Sequence, residues 1–113
     1  MRPLRIGPFD IPIEATDDPS LDGIFQVAED GTPTIRLNSN LCEAMIPPTT
    51  LHEALHCMSE LYGIGLKERQ VRALETCLTA FVRENPGFVD RLRQQTSTGG
   101  EMGAQGDPGF GVP

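Results

Sequence analysis

Residues 48–84 read PTTLHEALHCMSELYGIGLKERQVRALETCLTAFVRE, and the fold turns on where this stretch divides. Gly63-Ile64-Gly65 breaks it, leaving one helical run from about Pro48 to Tyr62 and a second from about Lys67 to Glu84. Leu51, Leu55, Met58 and Tyr62 recur at helical spacing, with Ala54 and Leu61 widening the stripe. Val71, Leu74, Leu78, Phe81 and Val82 form the matching stripe on the second run. The short connection favours antiparallel packing of the two. Folding the hairpin about residues 64 and 65 brings residues near 73–77 level with residues 52–56.

Both histidines of the chain lie in the pentapeptide His52-Glu53-Ala54-Leu55-His56, an HExxH pattern. On a helix, residues four apart share a face about 6 Å apart along the axis, so both imidazoles can reach one ion. Glu53 then stands beside the ion, close enough to bond a metal-held water without being a ligand, which is the general-base position. A catalytic zinc usually takes three protein ligands and leaves the fourth place to water. Glu75 is the candidate third donor. It follows His56 after eighteen intervening residues and lies on the margin of the apolar stripe beside Val71, Leu78 and Val82, where a carboxylate needs a partner.

With HExxH-x18-E in place, residues 23–85 resemble the gluzincin branch of the zincin metallopeptidases, in which a Glu from a second helix completes a zinc site. Small single-domain proteins of this kind, with an HEALH-type helix and a two-helix continuation, look like those encoded by bacteriophages and bacteria. The resemblance implies Zn2+ held by His52, His56 and Glu75, a water whose pKa the metal lowers to about 7, and Glu53 as the base that carries its proton to the leaving amine. Such enzymes usually add a His or Tyr for the oxyanion. Only Tyr62 is left for that here, and its place on the Leu51 to Met58 side favours core packing.

Other readings of the same residues stay open. His52 and His56 can be surface histidines with Glu53 a solvated neighbour. Thr50 and Glu53 fit a capping box, although a helix beginning at Pro48 would free Glu53. Glu75 can pair with Arg69 or Arg72. Glu60, four residues after His56, is a rival ligand, but three side chains of one straight helix would have to converge from about 12 Å. The metzincin pattern fails, because Ser59 and Tyr62 stand where its Gly and His belong. Cys42, Cys57 and Cys77 form no CxxC pair and read as small buried or half-buried residues.

At 113 residues the chain suits one modest domain, 1–95, followed by a tail. It has no apolar stretch long enough to cross a membrane, and Met1-Arg2-Pro3-Leu4-Arg5 lacks a signal peptide's apolar run, so a cytoplasmic or virion-associated protein is expected. The net charge of −7 arises wholly in residues 1–66, with ten acids against three bases. No basic face exists for phosphates, so nucleic acid is not an expected partner. The run Asp10, Glu14, Asp17, Asp18, Asp22 reads as a solvated loop, or as an attractant for a basic peptide.

Ahead of the helices, residues 24–27 and 34–37 read as two strands with turn residues Glu29-Asp30-Gly31 between them. The expected architecture is therefore α+β: a short β-hairpin, an antiparallel two-helix active-site unit and a short third helix. In zincins an edge strand near the metal pairs with an extended substrate, and the resemblance gives that role to Thr34–Asn38, with Thr34, Ile35, Arg36 and Leu37 binding peptide. The same hairpin can simply cover the helices. Asn85-Pro86 opens a third helix through about Gln94, with Phe88, Val89 and Leu92 packing inward. Residues 96–113 read as a flexible Gly/Ser/Pro-rich tail, either a tether to a larger assembly or an unfolded end. Three functions remain in view: a minimal zinc peptidase on peptide or protein substrates, a non-catalytic zincin scaffold acting as a virion or regulatory module, and a metal hydrolase of another bond.

Overall fold

Alternation along residues 33–38 builds the centre of the main sheet. Pro33, Ile35 and Leu37 are buried, Thr34 and Asn38 are half-buried, and Arg36 is exposed. The computed structural model describes residues 2–98. In chain order it contains β1 (Leu4–Ile6), β2 (Phe9–Ile11), β3 (Ile13–Thr16), β4 (Gly23–Val27), β5 (Pro33–Asn38), a 3-10 turn (Glu43–Met45), α1 (Ile46–Tyr62), α2 (Glu68–Glu84) and α3 (Pro86–Thr98). The protein is mixed α+β.

β1 and β2 form a small antiparallel ribbon turned at Gly7, whose φ of 58° a residue with a side chain rarely adopts. The second sheet has the order β3-β5-β4, with β3 parallel and β4 antiparallel to β5. The expected hairpin is present, but β5 is its central strand. Both edges of Thr34–Leu37 are hydrogen-bonded, so the expectation that Thr34–Asn38 is an edge strand is corrected: the outer strands are β3 and β4. The acidic run is likewise only partly loop, since Asp10 belongs to β2 and Glu14 to β3. Four of its acids have partners: Asp10 with Arg5, Glu14 with Arg36, Asp17 with Ser39 and Asp18 with Ser20.

α1 lays Ala54 and Cys57 on a core of Ile6, Ile11, Ile35 and Leu37. Ile11 and Ile35 are wholly buried, each contributing about 2 kcal/mol by removal from water. The helix starts earlier than the sequence suggests, at Ile46, with prolines in its first turn. Thr50 is consequently inside the helix, and its hydroxyl donates to the Ile46 carbonyl at 2.6 Å. The capping-box reading is thereby removed and Glu53 is released from the helix start. α1 ends at Gly63, φ 66°, where the N–H of Ile64 donates to the Ser59 carbonyl at 2.9 Å. α2 opens after Lys67, whose N–H donates to Gln70 Oε1 at 2.8 Å.

The chain divides into two units, residues 1–78 and 79–113, and α2 runs from one into the other. In the first, Val71 is fully buried while Leu74 and Leu78 are half-buried. In the second, Phe81 and Phe88 meet edge to face with ring centres 5.5 Å apart. Phe88 and Val89 are half-buried as expected, but Phe81, Val82 and Leu92 are exposed. α3 reaches Thr98, beyond the expected end near Gln94, and residues 99–113 of the proposed tail lie outside the described residues. Among those described, no helix is long and apolar enough to cross a membrane.

Candidate metal centre

α1 and α2 face each other in antiparallel order: His52 touches Glu75, and His56, one turn later, touches Glu68. His56 Nε2 lies 2.8 Å from Glu68 Oε1, and His52 Nε2 lies 3.1 Å from Glu68 Oε2. One carboxylate thus spans both imidazoles. Ligand atoms of His52, His56 and Glu68 all lie within 4.8 Å of one another, a group able to hold a metal ion. The two rings are edge to face with centres 5.0 Å apart, a separation that the four-residue helical spacing allows.

Glu75 is brought to the site but to a different place from that expected. Its Oε1 lies 3.0 Å from His52 Nδ1, the ring nitrogen opposite the one that meets Glu68. The carboxylate between the imidazoles is therefore Glu68, which the sequence reading passed over. A signal was available: Glu68 and Glu75 are seven residues apart, two helical turns, and so share a face. Glu60 is exposed on α1 and stands outside the group.

Glu53 is buried, with 8% of its surface exposed, although it is ionisable. Burial pushes its carboxyl above the usual range, while His52, His56 and the N–H of Phe25 act in the other direction and Glu68 adds to the rise. Glu68 is pulled up by partial burial, yet hydrogen bonds from Arg72 and His56 and the charges of both histidines hold its carboxyl below the ordinary value. Arg72 Nε donates to Glu68 Oε2 at 3.0 Å. The placement at the first turn of α2 also sets this carboxylate at the positive end of the helix dipole.

A cavity of about 580 Å³ opens over these groups, lined also by Asp22, Gly23 and Thr49, with Arg72 its cationic lining residue. A second, of about 320 Å³, adjoins it at Gly23, Glu53 and His56 and continues past Phe25 and Leu66. The strand beside the site is β4. Gly23 lets it approach α1, since a Cβ there would stand 2.9 Å from Thr49 Cγ2 and 3.2 Å from Glu53 Cγ. Thr34 and Arg36, expected at the substrate site, line a separate hollow with Gln26, Val27 and Ala28.

Tyr62 is neither core nor site: it is 60% exposed, and its hydroxyl packs on Gly7. All three cysteines are free thiols; Cys57 is buried as expected, whereas Cys42 and Cys77 are exposed. Burial pushes the Cys57 thiol up, which keeps it protonated. Comparison of the chain with protein-family models, with curated proteins and with solved structures found no match.

Proposed function

We propose that the protein is a small zinc-dependent peptidase of zincin type, in which His52, His56 and Glu68 hold the ion and Glu53 is the general base. The observation that carries this reading is the convergence of two imidazole nitrogens and one carboxylate, with a buried glutamate alongside. Two nitrogens and one oxygen are a donor set found at catalytic zinc. Donors about 2.0–2.2 Å from a tetrahedral ion stand roughly 3.4 Å apart, and one ligand atom from each of the three residues lies within 4.8 Å of the other two.

Zinc held by His52, His56 and Glu68 would supply an acidified water and polarise the scissile carbonyl. Glu53, buried beside the two imidazoles, is placed to accept a proton and return it to a departing amine. Arg72 brings positive charge to the cavity wall, where its Nε donates to Glu68 Oε2. The substrate strand is reassigned to β4. Asp22 and Ala28 bond β5 at either end, so by alternation the backbone groups of Gly23, Phe25 and Val27 face away from β5, the Phe25 N–H toward Glu53 and the others toward an added chain.

Metal analysis of the purified protein, with cleavage of a proteome-derived peptide library, tests the reading. The expected result is one zinc per chain and peptide cleavage that a chelator abolishes and zinc restores. Failure to take up zinc overturns it, as does cleavage that survives chelation. Zinc uptake with no peptide cleaved favours the non-catalytic scaffold or hydrolysis of another bond.

A further inference from the structure

We infer that Glu75 is a positioning residue: its carboxylate accepts the Nδ1–H of His52 and holds that ring with Nε2 turned toward His56 and Glu68. This rests on the proposed metal site. A carboxylate only accepts, so the 3.0 Å contact to Nδ1 calls for a proton there, and Nε2, 3.1 Å from Glu68, is the nitrogen that a metal would take in exchange for a proton. The arrangement is two-sided. α2 offers one carboxylate to each ring nitrogen of His52, Glu68 at Nε2 and Glu75 at Nδ1, because two turns of helix separate them by about 10 Å.

Burial separates the two roles. Both carboxylates line the cavity, but the Glu75 side chain is 26% exposed and that of His52 16%, while Glu68 is 50% exposed. A fixed hydrogen bond belongs where solvent competes least, and a metal ligand belongs on the side from which substrate and water reach the ion. The two nitrogens of one imidazole point in widely different directions. An ion shared by His52 Nε2 and His56 Nε2 therefore has Glu68 as its neighbour, with Glu75 behind the ring.

The test uses the full chain loaded with zinc, or with cobalt(II) as a spectroscopic substitute, in wild type, Glu75→Ala, Glu75→Gln and Glu68→Ala. Glu75→Ala should weaken zinc binding by about 10- to 100-fold. It should retain one ion per chain, keep the wild-type cobalt coordination spectrum, and expose the His52 Nδ1 proton to rapid solvent exchange. Glu75→Gln keeps an acceptor and should recover most of the affinity. Glu68→Ala should change the cobalt spectrum. The inference is overturned if Glu75→Ala alters that spectrum while Glu68→Ala does not, or if the Nδ1 proton stays equally protected without Glu75. Should Glu75→Ala not fold, Glu75→Gln and the wild-type Nδ1 proton decide the matter. If wild type binds neither metal, the zinc reading fails by itself. Nitrogen NMR shifts of the metal-free protein then still report whether His52 carries its proton at Nδ1, and an unprotonated Nδ1 overturns the inference.

Discussion

Ser59 Oγ accepts the backbone N–H of Leu66 at 2.7 Å, tying the last turn of α1 to the loop that delivers Glu68 two residues later. Ser59 is buried, so the N–H it satisfies has little access to water as an alternative. The bond sets where α2 begins and hence where Glu68 stands over His56.

Ser59→Ala should cost about 1–3 kcal/mol, the penalty for an unsatisfied buried group. For a domain of this size, each kcal/mol lowers Tm by roughly 4–8 °C. Zinc affinity should fall as well, because the start of α2 is loosened. A thermal melt and a zinc titration check both; an unchanged melt would show that the loop holds its place without Ser59.

Gly23 is a packing constraint without a backbone one. A methyl at this position meets Thr49, Glu53 and Leu37 at 2.9–3.3 Å, so Gly23→Ala should destabilise by about 1–3 kcal/mol and push β4 away from Glu53. Activity should drop with stability. A pair of melts and a peptide-cleavage assay read this directly.

Glu53→Gln preserves shape but cannot carry a proton. Peptide cleavage should fall by about 10²–10⁴-fold while zinc content is unchanged. Retained cleavage in that variant would assign the base elsewhere.

Thiol accessibility separates the cysteines. An aromatic disulfide reagent should label Cys42 and Cys77 in the native protein at neutral pH and reach Cys57 only on unfolding. Burial also raises the Cys57 thiol above its ordinary value of 9.0, which slows its reaction further. Mass spectrometry of labelled peptides identifies which residues react.

Helices α1 and α2 were legible because their signals are local: a Gly63 stop, apolar residues at helical spacing, and histidines four apart on one face. The β4–β5 hairpin was legible for the same reason. β3 was not, since Ile13-Glu14-Ala15-Thr16 is a four-residue alternation with one large apolar side chain, and its strand character comes from parallel pairing with β5 and the Glu14–Arg36 ion pair across it. That pairing also demoted Thr34–Asn38 from edge to centre. Glu75 was placed at the right level on α2, opposite His52, but the nitrogen it meets depends on the direction of one imidazole ring, which spacing does not encode.

By itself, the chain's order of residues determined that two histidines and a glutamate share one helical face and that a second amphipathic helix returns beside it, because backbone periodicity is a property of neighbours. Only the tertiary structure decided that Glu68 joins the imidazoles, that Glu75 stands behind His52, and that β4 is the strand bordering the site. Those relations are set by side-chain rotamers and by hydrogen bonds between residues far apart in the chain, whose partners are chosen only when the helices and sheet pack together.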